Sequence, residues 1–324
     1  MARLRAVALR ALASYGLTDA RVRLLQFGFN ALFRVDAADG RFALRLNVNS
    51  HRSLDNVTGE LAWIEALGRE TSLTVPTPRA RPDGQLVALV DAPEVGRPLP
   101  ATLFAWIPGR DLGARDGAAA LHALGGAMAT LHTHGAGWSL PAGAALPHGS
   151  DLFMGQPPSI LAEQHPELPS SRQAVFVEAH RHAAQALAAL YAEAPQHLVH
   201  FDLHTWNVKW RRGQLAVFDF DDCAIACAVH DLAITTYYLR SRPRGAMLEE
   251  ALRAGYAGQR TLPACPPERF EALLLARLLL LANDLFRIEH ADDRAQLPRY
   301  LAQCEAAARR FLATGRFAPA ASAD

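Results

Sequence analysis

Residues 197–222 read HLVHFDLHTWNVKWRRGQLAVFDFDD, and this stretch holds the polar side chains that point to the chemistry. The carboxylate of Asp202 is followed by the carboxamide of Asn207, and a second carboxylate, Asp219, ends a short apolar run. The apolar runs on either side of Gly213 predict a small hairpin that supports these three side chains at loop ends. Their hard oxygen atoms suit Mg²⁺, which completes its shell with water and substrate phosphates. A carboxylate beside such a metal can accept a proton from an attacking hydroxyl.

The first hundred residues predict a five-stranded antiparallel sheet with one inserted helix. Turn signals, such as Asp39-Gly40 between two apolar runs, separate short segments of strand character. A helical spacing of apolar residues begins at Ser53. The predicted strands are residues 21–27, 31–36, 41–47, 84–90 and 101–107, and the predicted helices of this part are residues 1–17 and 53–67.

After Gly109 the pattern becomes helical. A long segment with many prolines, residues 135–172, separates the first two helices of this part. The chain therefore predicts an α+β protein with a small strand-rich lobe at residues 1–107 and a larger, mainly helical lobe at residues 108–324. The predicted helices of the second lobe are residues 118–132, 173–192, 249–255, 270–286 and 297–312.

The composition is that of an ordinary globular protein with little net charge. The 324 residues include 33 Lys plus Arg against 32 Asp plus Glu, so charge gives no reason to expect nucleic acid or a membrane as partner. No apolar run approaches the roughly 18 residues of a membrane span. The four cysteines show no disulfide framework, and a cytoplasmic location is expected. Lys209 is the only lysine, which excludes a Walker A loop or a Schiff-base lysine elsewhere in the chain.

The 197–222 stretch resembles the catalytic segment of the aminoglycoside phosphotransferase and choline kinase family, whose fold is protein-kinase-like and bilobal. The family's H-x-D-x-x-x-x-N loop matches His200, Asp202 and Asn207, and its metal-binding aspartate matches Asp219. The resemblance implies that Asp202 is the catalytic base and that Asn207 and Asp219 hold Mg²⁺ against the phosphates of ATP.

Three neighbouring residues have supporting roles in this interpretation. The resemblance implies that Asp221 supports a second metal ion. His200 is expected to be structural and to hydrogen-bond the backbone near Asp219. Asp231 matches the family's downstream aspartate, which braces the catalytic loop and contacts no substrate.

The resemblance extends to backbone segments of the first lobe. Gly28 and Asn30 lie in a run similar to the family's phosphate-covering hairpin. Ala105 and Ile107 lie in a run similar to the hinge whose backbone meets adenine. These four residues are therefore expected to bind the nucleotide.

Arg45 and Glu60 complete the expected nucleotide-binding set. Arg45 stands on the third strand, where the family places its phosphate-binding basic residue, and Glu60 matches the helix acid that pairs with it. Most phosphotransferases of this fold have lysine at the first position. Arginine keeps the positive charge and can bind phosphate oxygens in pairs, but it is bulkier and is not an interchangeable replacement.

These residues predict an ATP- and Mg²⁺-dependent phosphotransferase that acts on a hydroxyl group. A bacterial serine/threonine protein kinase and a non-catalytic nucleotide-binding pseudokinase of the same fold are alternatives. A metal-dependent hydrolase is a further alternative, because His200, Asp202 and His204 have a spacing found in metallohydrolases and Asp219 and His230 could complete such a site. An aspartyl-phosphate phosphatase would need a parallel α/β domain, which the helical pattern after residue 230 does not predict.

The identity of the acceptor stays open at this stage. The family covers aminoglycosides, choline and ethanolamine, homoserine, sugars and, in one branch, protein serine or threonine. The FDFDD sequence and Arg45 favour the branch of homoserine kinases and bacterial serine/threonine-kinase-like proteins. The cluster of Glu289, Asp292 and Asp293 is typical of a solvated face, with an acidic wall for a cationic acceptor as the alternative.

Overall fold

The computed structural model describes residues 2–50, 52–113, 117–163, 165, 167–211, 213–287 and 291–319. The chain forms two compact units. The first comprises Met1–Arg110, Ser139–Leu146 and Lys209–Asp221, and the second comprises Asp111–Trp138, Pro147–Val208 and Asp222–Asp324. Glu289 and the side chains of Asp292 and Asp293 lie outside the described residues, so the acidic-wall interpretation stays a prediction. The assignment of nucleotide binding to residues 1–107 and acceptor binding to residues 108–324 also stays a prediction.

The first unit contains the expected five-stranded antiparallel sheet, with strand order β1-β2-β3-β5-β4. Helix α1 precedes the sheet, and α2 is inserted between β3 and β4. The bounds are α1 Ala2–Ser14, β1 Arg21–Phe27, β2 Ala31–Ala37, β3 Gly40–Leu46, α2 Leu54–Glu70, β4 Val87–Val90 and β5 Leu99–Ala105. The predicted strand content and fold class are confirmed.

Alternation along β2 and β3 places apolar side chains on the face of the sheet that packs against α1. Phe33, Val35, Leu44 and Leu46 are buried in one cluster with α1 residues. Because successive strand residues point to opposite faces, Arg45 lies on the other face of the sheet, where it is also buried. Packing against α1 therefore holds β3 in place, and β3 carries the buried guanidinium of Arg45 on its opposite face.

Helix α2 begins with a capping box. The Ser53 side chain accepts a hydrogen bond from the Asn56 backbone N–H, and the Asn56 side chain accepts one from the Ser53 N–H. One face of the helix is buried, and Trp63 makes an edge-to-face contact with Phe220, with ring centroids 5.5 Å apart. The helix thus presents Glu60 at a fixed position in the first unit.

A short hairpin closes the first unit. Strands β8 (Val208–Arg211) and β9 (Gln214–Val217) belong to a three-stranded sheet whose remaining strand is β6 (Arg110–Asp111). The Val217 N–H donates to the Thr74 carbonyl oxygen at 2.9 Å, which ties the hairpin to the segment after α2. The hairpin predicted within the 197–222 stretch is therefore present, and its second strand ends two residues before Asp219.

The second unit is mainly helical, as expected. Among the described residues, its only sheet consists of two short antiparallel strands. Several of its helices extend beyond the ends that the sequence pattern predicts. The bounds are α3 Ala118–Gly137, α4 Ser170–Glu193, β7 Gln196–Val199, β10 Ala224–Cys227, α5 Ala228–Arg240, α6 Gly245–Ala257, α7 Pro267–Asp284 and α8 Ala291–Thr314. No helix of the described residues has the length and apolarity needed to cross a membrane.

Two glycines allow α3 and α6 to pack backbone against backbone. A Cβ atom at Gly125 would lie 2.0 Å from the Leu252 carbonyl oxygen, and one at Gly255 would lie 1.8 Å from the His122 carbonyl oxygen. Both distances are far below van der Waals contact, so no larger residue fits without separating the helices. This close approach positions His132 of α3 and Tyr256 of α6 beside each other.

The burial of His230 predicts that the fold becomes less stable in mild acid. Burial lowers the pKa of His230 to about 3, with Arg277 adding to the effect and Asp231 opposing it. The unfolded chain binds a proton near pH 6.5 and the folded chain does not, so this stability is complete above pH 6.5 and is lost as the pH falls towards the folded pKa. For His230 the expected loss in the free energy of unfolding is about 2 kcal/mol at pH 5.

Urea titrations at pH 7.5 and pH 5 test this expectation. A His230→Asn variant keeps a polar partner for the Tyr191 hydroxyl, which lies 3.0 Å from His230 Nδ1, and its stability should depend less on pH. Equal losses in the wild type and the variant between the two pH values would contradict the assignment.

Candidate functional site

The loop that follows β7 is held by a buried carboxylate of α5. Phe201 has a φ of 63°, a left-handed conformation that a bulky residue keeps only when its surroundings enforce it. Asp231 Oδ1 accepts the Phe201 N–H at 2.9 Å, and Asp231 Oδ2 lies 2.9 Å from His132 Nε2. His132 Nδ1 in turn lies 3.0 Å from the Tyr256 hydroxyl. This geometry supports the bracing role that the sequence predicted for Asp231.

Three side chains surround the carboxylate of Asp202. The amide Nδ2 of Asn207 donates to Asp202 Oδ2 at 2.9 Å and to the Asp202 carbonyl oxygen at 2.9 Å. His204 Nε2 lies 3.4 Å from the same Oδ2. The guanidinium of Arg277, on α7, donates to Asp202 Oδ1. Both carboxylate oxygens are therefore oriented by neighbours.

The charge of Asp202 is stabilised by these contacts. Burial alone would raise the pKa of the Asp202 carboxyl, but Arg277, His204 and His200 hold it well below its usual value. Asp202 is therefore ionised at neutral pH, and its carboxylate can accept a hydrogen bond. Burial raises the pKa of Tyr238 to about 12, so this residue remains a neutral hydroxyl that accepts a hydrogen bond from Arg277 at 2.7 Å.

His200 is fully buried and contacts the loop backbone. Its Nδ1 accepts the Asp202 N–H at 3.3 Å, which shapes the turn that presents the Asp202 side chain. No set of three or more His, Cys, Asp or Glu side chains in the described parts of the chain is arranged to hold a metal ion. The spacing of His200, Asp202 and His204 is thus accounted for by turn geometry and contacts to Asp202.

The first unit contains a buried ion pair between β3 and α2. Arg45 donates to the two carboxylate oxygens of Glu60 at 2.7 and 2.6 Å, and the side chains are 6% and 3% exposed. Burial alone would lower the pKa of Arg45, but Glu60 and Asp221 raise it above its ordinary value, so the guanidinium stays charged. Its Nε is buried and has no hydrogen-bond partner among the described residues. One donor of this cation is therefore left for another group.

Asp221 joins several segments of the first unit. Its Oδ2 accepts a hydrogen bond from Asn30 Nδ2 at 2.8 Å, and its Oδ1 lies 3.4 Å from Asn47 Nδ2 and 3.6 Å from an amino nitrogen of Arg45. Arg52 Nε donates to the Asp221 carbonyl oxygen at 3.0 Å. Asn30, Arg45 and Asp221, all predicted site residues, are thus brought together, with Asn47 as a member that the sequence did not indicate.

Asp219 is presented by a strained backbone. Its φ is 64°, and its side chain is exposed. Asparagine and aspartate adopt this left-handed conformation more readily than most residues do. An exposed carboxylate held in a sparsely populated conformation is a frequent feature of functional sites.

The remaining predicted nucleotide-binding residues lie in the connection between β1 and β2 and at or just beyond the end of β5. The Gly28 N–H donates to the Asn30 carbonyl oxygen at 3.0 Å, and a Cβ at Gly28 would meet no atom within 4 Å, so the space beside it is open. The Ala105 N–H donates to the Thr77 carbonyl oxygen at 2.8 Å. The Ile107 carbonyl oxygen lies 3.4 Å from Nζ of Lys209, whose ammonium is 4.8 Å from the Trp106 ring centroid.

Asn207 of the second unit and Asp219 of the first unit each have an oxygen donor of the kind that a magnesium ion binds. The Asn207 Nδ2 donates its hydrogen bonds to Asp202, so the Asn207 Oδ1 on the other side of the amide points away from Asp202. Within the described part of the chain, no hydrogen bond is made to this Asn207 oxygen. Asp219 adds an exposed carboxylate. Amide and carboxylate oxygens are the ligands that Mg²⁺ prefers, so the donor atom of each residue, taken by itself, is of the kind that the metal implied by the resemblance binds.

Sequence reasoning missed Arg277, Tyr238 and Asn47. Arg277 is 75 residues from Asp202, in the predicted helix 270–286, whose apolar pattern predicts only a buried face. Tyr238 is 36 residues from Asp202, in a segment for which the sequence predicted no bounded helix. The charge of Arg277 inside the run 270–286 was the available signal, because a buried arginine needs a partner. Asn47 lies two residues beyond Arg45 on the same face, which is a signal that strand periodicity offers.

Comparison with known proteins identifies the family of this chain. Residues 22–268 match the family described as the phosphotransferase enzyme family, APH. An uncharacterized protein of Deinococcus radiodurans is 30% identical over 249 residues, which cover 76% of this chain and 70% of that protein. The chain therefore belongs to the APH phosphotransferase family, and it is a kinase that transfers a phosphoryl group to a hydroxyl acceptor.

Two solved structures are similar over nearly the whole chain. A microcompartment-associated aminopropanol kinase is 25% identical with a TM-score of 0.81, covering 96% of this chain and 98% of that one. The amicoumacin kinase hAmiN, solved with AMP-PNP, Ca²⁺ and Ami, is 20% identical with a TM-score of 0.77, covering 100% of this chain and 97% of that one. The predicted kinase-like fold, with a small sheet-containing lobe and a helical lobe, is confirmed, and the hydrolase alternative is not supported.

Proposed function

We propose that the protein transfers the γ-phosphoryl group of ATP, with Mg²⁺, to a hydroxyl group of a small molecule. The observation that carries this proposal is the arrangement at Asp202, whose ionised carboxylate is held by Asn207 Nδ2 while Asn207 Oδ1 is left for a metal. Asp202 accepts the hydrogen bond of the acceptor hydroxyl and orients its oxygen for attack on the phosphorus atom. The hydroxyl proton passes to Asp202 as the new P–O bond forms and the bond to ADP breaks.

Asn207 and Asp219 are the proposed magnesium ligands, and Asp221 is proposed to support a second ion. When bound, the metal neutralises charge on the phosphate oxygens. On the nucleotide side, Arg45 is the proposed phosphate contact, supported by its unpartnered Nε and fixed by Glu60. The open turn at Gly28 and Asn30 is proposed to cover the phosphates, and the backbone of Ala105 and Ile107 is proposed to meet the adenine base.

Similarity to the aminopropanol kinase favours a small hydroxyl compound as acceptor. The direct experiment measures thermal shifts with Mg·ATP and Mg·GTP, followed by ATP consumption over pools of amino alcohols, homoserine, choline, sugars and aminoglycosides. We expect Mg-dependent nucleotide stabilisation and turnover in one pool. Nucleotide binding without turnover in any pool would favour the pseudokinase, and phosphorylation of a protein in place of the small molecules would favour the protein kinase.

Arg45 offers a prediction that separates binding from folding. Arg45→Met leaves Glu60 buried without its cation, which is expected to cost about 3–5 kcal/mol of stability. Replacing both residues, Arg45→Met with Glu60→Leu, removes the uncompensated charge and should restore most of that stability. Both variants lack the phosphate contact, so both should bind ADP about 10- to 100-fold more weakly.

Urea unfolding and calorimetric ADP titration measure the two quantities separately. Arg34→Met is the matched control, because Arg34 also lies in the sheet but pairs with Asp36 at the surface. Full ADP affinity in the stable double variant would contradict the role of Arg45.

A further inference from the structure

Arg277 is a buried cation that belongs to no motif of the sequence. It lies on α7, beyond residues 22–268 that match the family, and its side chain is 4% exposed. One terminal nitrogen donates both to Asp202 Oδ1 and to the Tyr238 hydroxyl. Burying a guanidinium costs several kcal/mol unless a partner compensates its charge. The buried Arg277 therefore needs a carboxylate such as that of Asp202 as its partner.

The contacts of Asp202 divide between its two oxygens. Asn207 and His204 both approach Oδ2, whereas Arg277 approaches Oδ1. The terminal torsion of an aspartate is broad, so contacts to one oxygen alone leave the carboxylate plane poorly fixed. Arg277 is therefore the second point that fixes this plane.

Arg277 is itself held in place by its surroundings. Its guanidinium lies 5.5 Å from the Tyr238 ring, and the Tyr238 ring packs 4.3 Å from the His204 ring. Leu273, Leu274, Leu278 and Leu280 of the same helix are buried. A side chain that is held in a packed helix can keep a neighbouring carboxylate within about 0.5 Å of the position that a reaction requires.

We propose that Arg277 is a positioning residue that fixes the plane of the Asp202 carboxylate and so aligns the acceptor oxygen for phosphoryl transfer. The proposal rests on the function proposed above. It assigns Arg277 no contact with substrate. Its effect is on kcat, because misalignment of a reacting group by about 1 Å can cost about 10²-fold in rate.

A double-mutant cycle tests this role. The probe reactions are transfer from γ-labelled ATP to aminopropanol and to water, with Mg²⁺, followed both in single-turnover and in steady-state experiments. We expect Arg277→Met to lower the rate about 10- to 100-fold and to change the KM for ATP less than about threefold. In an Asp202→Asn background the same substitution should lower the rate less than about twofold, because the group that it positions is already lost.

Arg277→Lys covers the case in which Arg277→Met does not fold. It keeps a charge near Asp202 but loses the planar fork, so its rate should lie between those of the wild type and Arg277→Met. A crystal structure of the lysine variant should show the Asp202 carboxylate rotated about its terminal torsion. The matched control is Arg240→Met, because Arg240 is a partly buried arginine of the same unit that pairs with Glu249 and Glu271.

Three results would overturn the proposal. These are an unchanged rate in Arg277→Met, equal losses in the two backgrounds, and an unrotated Asp202 with an unchanged rate in Arg277→Lys. If Asp202→Asn is inactive while Arg277→Met is fully active, only the role of Arg277 fails. If Asp202→Asn keeps the wild-type rate, the proposed function of Asp202 fails and the positioning role fails with it.

Discussion

Asp202→Asn is expected to lower kcat for phosphoryl transfer by about 10²- to 10⁴-fold, the range typical of a lost general base. The amide cannot accept the hydroxyl proton, and its NH₂ group would face a donor of either Asn207 or Arg277. The substituted side chain then lacks the negative charge, and it can no longer keep the orientation that aligns the acceptor oxygen. The affinity for ADP should change little, because the proposed nucleotide contacts lie on other residues.

Steady-state kinetics and calorimetric ADP binding measure the two parts of this prediction. Asp151→Asn is the matched control in the same unit, because Asp151 accepts hydrogen bonds from the Phe153 and Gly155 amides and has no proposed catalytic role. A melting curve shows whether the variant is folded, since the neutral side chain leaves Arg277 uncompensated. Full turnover in a folded Asp202→Asn protein would remove Asp202 from the mechanism.

Asp219→Asn is expected to lower kcat/KM by roughly 10³-fold, which corresponds to several kcal/mol of lost metal stabilisation. Asparagine adopts the left-handed backbone of Asp219, at φ 64°, so the substitution removes charge with little added strain. Alanine is a poorer choice, because left-handed backbone costs an ordinary residue about 1–2 kcal/mol. The change therefore isolates the carboxylate as a ligand.

The decisive measurement is the Mg²⁺ dependence of ADP binding. In the wild type, Mg²⁺ should strengthen ADP binding, and in Asp219→Asn this effect should shrink while binding in EDTA stays the same. Asp36→Asn is the control, since Asp36 is another carboxylate of the first unit that pairs with Arg34 and Arg41 at the surface. An unchanged Mg²⁺ effect in Asp219→Asn would assign the metal to other residues.

Much of the fold could be predicted from local sequence signals. The hairpin turn at Asp39-Gly40, the alternation along β2 and the helical period after Ser53 depend on neighbours in sequence, and each of these elements is present. Strands β7 and β10 and helix α5 were not delimited from the sequence. The two strands are four residues each and pair across a gap of 24 residues, so no local pattern marks them.

The candidate site divides in the same way. The H-x-D-x-x-x-x-N spacing and the aspartate after β9 could be found because the loop places these side chains within one short stretch. The contacts of Asp221 to Asn30 and Asn47 join residues 191 and 174 positions apart. Such pairings follow from strand order and helix packing, which cannot be predicted from the local patterns of a single sequence.

Periodicity and turn signals are local properties of the chain, and they were sufficient to predict the α+β class and the five strands. The residues expected to carry phosphoryl transfer came from the family resemblance of the 197–222 stretch. The groups that surround Asp202 and Arg45 are known only from the folded chain. A carboxylate becomes an oriented, ionised group when packing brings a buried cation such as Arg277 to it from a helix 75 residues away. Hydrogen-bond direction and desolvation, which set that state, exist only after the elements have packed.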